Sequence, residues 1–182
     1  WPYAIAPAVV GVTANYFFSE RLGILYNFFN GLWGFDWYDN VYDAYIYVFI
    51  AASWKQISAN FIFFLAGLQN IQKSIIEASI IDCKSSFRRF WTITFPLLMP
   101  TTFFLIIINI TYSFFDTLGI IDTTTIGAPS GETKTLVYKA YIDGFKGLDL
   151  GSAGAQSIIM MLIVLVITVF QFRFIEGKIH YN

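Results

Sequence analysis

Four long apolar runs, residues 3–18, 44–68, 96–119 and 151–172, limit what this chain can fold into more than any other feature. A hydrocarbon core of about 30 Å is crossed by about 20 apolar residues in helical form. The last run is the cleanest, since only Thr168 interrupts the stretch from Ile158 to Phe170. Lipid offers the backbone no hydrogen-bond partner, so continuous runs of this kind must be helices. Barrel strands would be about 10 residues of strict alternation, and no such pattern is present. The fold expected is therefore all-α, a polytopic transmembrane bundle with four spanning helices. Composition agrees: 57% of residues are hydrophobic and 13% charged, about half the charge of a soluble domain. A net charge of −1 supplies no field for nucleic acid,. Cys83 is the single cysteine and His180 the single histidine, which excludes an internal disulfide and leaves little for a metal site,. The first run is short and opens almost directly at Trp1, so we expect a fragment lacking an N-terminal part, with no signal peptide,.

Charge sets the direction of the crossings. Segment 69–95 holds Lys73, Lys84, Arg88 and Arg89 against Glu77 and Asp82, whereas segment 19–43 holds Arg21 against Glu20, Asp36, Asp39 and Asp43. Basic residues favour the cytoplasmic side, so the first segment is expected inside and the second outside. Alternation then places 120–149 outside and the tail 173–182, with Arg173 and Lys178, inside. Trp33, Trp37, Tyr38, Tyr42 and Tyr45 are expected to form an aromatic belt at the outer interface,. Residues 123–131 read as a loop and 136–145 as an amphipathic outer segment. No internal repeat divides the chain, and residues 1–182 are treated as one membrane domain.

The cytoplasmic segment has the pattern of two short helices. Ser74 and Glu77 have the spacing of a capping box. The helix they would start carries Ile75, Ile76, Ile80 and Ile81. Residues 82–86 can cap a second helix with Phe87, Phe90, Trp91 and Ile93 on its apolar side. Such a pair suits a docking element for a cytoplasmic partner; it equally suits a loop lying on the membrane, with Arg88 and Arg89 at the headgroups.

Particular residues add a resemblance. The stretch Glu77-Ala78-Ser79-Ile80-Ile81-Asp82-Cys83, followed by Phe90, Ile93, Pro96 and Pro100, resembles the EAA loop of binding-protein-dependent ABC importer permeases. Residues 66–71 resemble that family's lead-in, and Thr125-Ile126-Gly127-Ala128-Pro129 its outer-loop signature in sugar-type members. Trp54-Lys55-Gln56-Ile57-Ser58, Phe114-Phe115-Asp116-Thr117 and Gly147-Leu148-Asp149-Leu150 are similar to the branch that imports sn-glycerol 3-phosphate. A neutral sugar is the alternative solute. The resemblance implies a type I ABC importer permease fold in the bacterial inner membrane, with about two further helices before this chain. It also implies a second, similar permease, an ATPase dimer docked on the loop at 69–95, and an external solute-binding protein. Glu77, Ala78, Ser79, Asp82, Cys83, Phe90 and Pro96 would form the coupling loop. The sequence departs from the family at Ser79, Cys83 and Lys84, where alanine, glycine and alanine are usual, and at Gln72, where proline is common. Cysteine suits a positive φ less well than glycine, so the turn itself is in question.

No Gly-rich Lys-Ser/Thr phosphate loop occurs, so ATP would be used by a partner and no cofactor would bind here,. An intramembrane enzyme is disfavoured, because Asp116 and Asp122 lack a His or Ser partner for a nucleophile–base couple. Polar residues inside spans are costly and point to function. Lys55 lies about 21 Å along its helix from Gln69, and Asn109 about 20 Å from Pro96, with Tyr112 slightly further. Asn60 is lower; Gln156 and Ser157 lie near the outer end of the last run, and Asn15 is a possible addition. Lys55, Asn60, Asn109, Tyr112, Gln156 and Ser157 would line a pathway for a hydroxylated anion, with Lys55 for its phosphate. Alternatively Lys55 snorkels outward and the amides bridge helices. Asp116 would serve an outer gate or a structural pairing.

Overall fold

The computed structural model describes residues 1–82 and 85–175, without the side chains of Asp82, Phe174 and Ile175. Cys83, Lys84, Lys178 and His180 lie outside the described residues. All regular structure described is helical. A short 3-10 turn, Pro2–Ala4, precedes α1 (Pro7–Phe17), α2 (Ile24–Trp33), α3 (Val41–Gln69), α4 (Lys73–Asp82) and α5 (Ser86–Leu97). Then come α6 (Met99–Phe115), α7 (Leu118–Thr123), α8 (Leu136–Tyr141) and α9 (Leu150–Ile175). Residues Phe90–Thr94 form a π-turn within α5, and Ile142–Lys146 form another that extends α8.

Two helices are long and apolar enough to cross a membrane, and a third crossing arises if α5 and α6 count as one span. Helix α3 has 29 residues, about 44 Å. The Asn40 side chain caps it by accepting from the Tyr42 amide at 3.0 Å,. Helices α5 and α6 meet at Leu98 with a bend of 69°. Pro96 and Pro100 flank that bend and withdraw two amide donors from the ladder, which permits it. The expectation of four crossings is thus only partly met. The first apolar run forms an 11-residue helix, about 17 Å long, because Pro2 and Pro7 break the run before it. Helix α9 is the barer of the two long spans: Ile158, Leu162, Val166 and Val169 are each half or more exposed.

The segment expected as an outer loop contains α2, whose sequence ILYNFFNGLW carries no charge. Tyr26 is buried and Leu25 and Phe29 pack on the core, whereas Ile24, Phe28 and Leu32 form an exposed stripe at four-residue spacing,. Gly34, with φ of 76°, closes the helix in the left-handed conformation that a side chain would strain,.

Around Phe18 the core is aromatic, with Tyr47 at 4.6 Å and Phe35 at 5.7 Å between ring centroids. Trp37 belongs to this core and not to the belt: it is buried, and its Nε1 donates to the Phe18 carbonyl at 3.2 Å. Burial with a satisfied N–H is the better outcome for an indole. Trp33, Tyr38, Tyr42 and Tyr45 remain exposed. Helix α1 packs closely on α7, where a Cβ at Gly11 would collide with Thr123 Oγ1. Asn15 belongs to that contact, donating to the Thr123 carbonyl and accepting from Tyr47 Oη.

Candidate functional site

Helices α4 and α5 are the two short helices expected between the second and third apolar runs. The capping box does not form, because α4 begins at Lys73. The Gln72 carbonyl accepts from the amides of Ile75 and Ile76 at 3.0 and 3.3 Å, so Gln72 occupies the cap and Ser74 lies inside the first turn,. Ser74, Ile75, Ala78 and Ser79 instead border a shallow groove of about 310 Å³ opposite Ile93 of α5. Ser79 is buried and its hydroxyl donates to the Ile76 carbonyl at 2.6 Å. Ala78 and Ser79 are the small side chains on this wall of the groove. Glu77, Ile76, Ile80 and Ile81 are exposed, the last by 84%. Helical geometry puts these four on the side of α4 away from the groove. Among the described residues Glu77 has no ion-pair partner. Phe90 and Pro96 are exposed on α5. Ser85 stands at the start of α5, but its side chain makes no cap.

Within the membrane the candidate pathway residues divide into groups. Lys55 is 7% exposed and does not snorkel. Its Nζ donates to the Tyr3 carbonyl at 2.9 Å and sits 4.7 Å from the Tyr3 ring and 6.0 Å from the Tyr112 ring,. The Tyr3 amide donates to Ser58 Oγ at 3.1 Å, which fastens the Pro2–Ala4 turn to α3. Tyr112 Oη and Gln56 Oε1 are buried with no hydrogen-bond partner among the described residues. For Tyr112, whose ring lies 6.0 Å from Lys55 Nζ, unused polar capacity beside a buried ammonium suits a ligand that carries both charge and hydroxyls. Asn60 and Asn109 exchange amide hydrogen bonds of 3.2 and 2.9 Å across α3 and α6, and Asn109 also donates to the Leu105 carbonyl at 2.7 Å.

Gln156 joins a different set. Its Nε2 donates to Asp143 Oδ2 and, at 3.0 Å, to Ser152 Oγ. Lys139 Nζ holds the same Asp143 oxygen at 2.7 Å. The hydrogen bond from Lys139, then that from Gln156, keeps the Asp143 carboxyl below the usual carboxylate range. Nearby, Tyr138 Oη donates to Asp122 Oδ1 at 3.1 Å, and Lys146 reaches that oxygen at 3.5 Å. Burial first, and then the Asp122 hydrogen bond, push Tyr138 up to about 12. Ser157 is exposed and donates back to the Ala153 carbonyl at 2.9 Å. Asp116 is exposed and forms no ion pair among the described residues.

Sequence reasoning missed Tyr3, Gln56 and the Asp143 set. Lys139 and Asp143, four residues apart on one helical face, were a readable signal. Tyr3 had none, because its contact with Lys55 exists only once the Pro2–Ala4 turn lies against α3.

Residues 2–181 match the family described as binding-protein-dependent transport system inner membrane component. The chain is 54% identical over 184 residues to the sn-glycerol-3-phosphate transport system permease protein UgpA of Rhizobium meliloti (strain 1021). Identity is 53% over 184 residues to the protein of that name from Agrobacterium fabrum, and 47% over 183 residues to that from Escherichia coli O6:K15:H31. Each alignment covers 100% of this chain and 62% of the relative, so the chain spans 62% of those relatives' length. A solved structure of a bacterial ABC transporter involved in the import of the acidic polysaccharide alginate superposes with a TM-score of 0.75 at 19% identity. That alignment covers 97% of this chain and 62% of the other, a likeness of fold.

Proposed function

Because the chain belongs to the binding-protein-dependent transport system inner membrane components, we propose that it is part of a permease subunit of an ATP-driven importer in the bacterial inner membrane, and that its solute is sn-glycerol 3-phosphate. The observation that carries this is the 54% identity over an alignment that covers 100% of this chain. The subunit performs no chemistry of its own. A second, similar permease completes the pathway, an ATPase dimer docks on the hairpin from the cytoplasm and consumes ATP there, and an external binding protein delivers solute. The tail after α9 is cytoplasmic.

In this reading the exposed ridge of α4, with Glu77, Ile76, Ile80 and Ile81, is the ATPase contact. Ala78 and Ser79 face Ile93 of α5 across the groove, and a displacement of α4 passes along the chain through α5 and the elbow at Leu98 into α6. Helix α6 carries Asn109 and Tyr112, and α3 carries Lys55 and Asn60. Motion of α6 against α3 therefore opens or closes the polar set. The Lys55 ammonium supplies the phosphate contact once the Tyr3 carbonyl releases it, and Gln56 and Tyr112 offer hydrogen bonds to glycerol hydroxyls. Asp116 belongs to an outer gate.

Uptake of labelled glycerol 3-phosphate by the assembled importer in vesicles tests this reading. Glu77→Gln should lower uptake at least about tenfold, the loss that one charge-assisted contact supplies, while the ATPase subunits still co-purify. Unchanged uptake sinks the coupling role. Uptake of a neutral sugar in place of glycerol 3-phosphate sinks the solute assignment.

A further inference from the structure

Helix α5 has a second face that coupling does not use. Ile93 faces the α4 groove, whereas Phe87, Phe90 and Trp91 are 76%, 40% and 52% exposed. Their rings run on to Phe95 in a continuous ladder, with Phe87 to Trp91 at 6.4 Å, Phe90 to Trp91 at 5.2 Å and Trp91 to Phe95 at 5.0 Å. On a helical projection these rings share one side, and Arg88, Thr92 and Arg89 the other. Neither arginine has an ion-pair partner among the described residues. The axis of α5 is bent 69° from α6, so if α6 stands along the membrane normal, α5 lies within about 20° of the membrane plane,.

We propose that α5 is an in-plane anchor in the inner leaflet, with its aromatic ladder at the acyl–headgroup boundary and Arg88 and Arg89 bound to anionic phospholipid headgroups. Two features select lipid over protein as the occupant. The helix continues through the single residue Leu98 into α6, whose 17 apolar-rich residues are at the short end of what crosses a bilayer, so α5 is tethered at the foot of that crossing. Its unpaired charge is positive, complementary to anionic lipid, and aromatic rings interleaved with arginines are the composition of interfacial helices. The proposal rests on the reading of this hairpin as cytoplasmic. It narrows the ATPase contact to α4 and assigns α5 to lipid, with Phe90, expected from the sequence to belong to the coupling loop, on the lipid side. The anchored α5 is then the fulcrum about which α4 and α6 move.

The test uses the complete importer in mixed vesicles, with bromine on the acyl chains of either phosphatidylglycerol or phosphatidylcholine. The tryptophan emission that Trp91→Phe removes is compared in the two. Quenching of that component should be several-fold stronger with brominated phosphatidylglycerol, and Arg88→Gln with Arg89→Gln should equalise the two lipids. Should the double variant not assemble, raising salt from 50 to 500 mM on the wild-type complex must erode the same preference, because headgroup attraction is screened. No quenching by either lipid overturns the anchor and points to a protein or water against α5. Equal quenching by both in the wild-type complex overturns the anionic contact. Uptake of glycerol 3-phosphate, measured in the same vesicles, reads the transport assignment separately.

Discussion

Lys55 is a charged side chain in the middle of an apolar helix, and its surroundings decide what it is for. A buried ammonium needs oxygen or aromatic partners, and here it has the Tyr3 carbonyl and two ring faces. One carbonyl leaves donors free on an ammonium that carries three. Lys55→Gln should therefore raise the KM for glycerol 3-phosphate about 10- to 100-fold, the worth of one charged hydrogen bond, with assembly intact; an unchanged KM removes Lys55 from phosphate recognition. Tyr112 gives a complementary measurement. Its hydroxyl has no partner among the described residues, so Tyr112→Phe should leave the melting temperature in detergent within about 2 °C, since no hydrogen bond is lost. Uptake should fall all the same if that hydroxyl meets solute, whereas a large drop in melting temperature with normal uptake would make it structural.

Pairs of helices are held by a few polar contacts set in apolar surface. The reciprocal amides of Asn60 and Asn109 join α3 to α6. Either Asn60→Leu or Asn109→Leu alone should destabilise by about 0.6–2 kcal/mol, and a double-mutant cycle in thermal unfolding should show coupling of that size. Additive losses would mean that the pair does not act as a unit. Asp143 joins α8 to α9 through Lys139 and Gln156. Its carboxyl is held below the ordinary range, so the stabilisation it gives is present at neutral pH and is lost as pH falls through that lowered value. Hydrogen exchange over residues 136–157 should accelerate under such acid conditions in the wild-type chain. Asp143→Asn should exchange faster already at neutral pH and lose the acid dependence.

Over the whole molecule, little of the apolar surface is covered by the chain itself. The compact region is the aromatic core around Phe18 and Tyr47 together with the α1–α7 contact. Gly11→Val places a branched side chain against Thr123 and should cost about 1–3 kcal/mol by overpacking, seen as a lower melting temperature together with proteolytic cleavage between α6 and α8. The bare sides of α9 and the α2 stripe need covering; if the proposed second permease covers them, co-expression with it should raise the melting temperature of the chain.

The sequence alone determined that the chain is helical and meets lipid, because runs of apolar residues leave the backbone no other way to satisfy its polar groups. It also determined the hairpin between the second and third runs, since charge, helix period and the Glu77–Asp82 motif are local properties of the chain. Depth was legible only in part: the count from Pro96 put Asn109 level with Lys55 and Asn60 lower, yet Asn109 meets Asn60, because the elbow at Leu98 interrupts the climb. Tertiary structure alone decided which residues at similar depth meet. Lys55 found Tyr3 and Tyr112, the two asparagines found each other, and Gln156 went to Asp143. Trp37 turned inward while its neighbours stayed out, and the 69° elbow set α5 across α6 in place of one straight span. Azimuth about a helix axis and the angle at a proline-flanked break depend on what packs alongside, and that information lies in contacts between residues far apart in the chain.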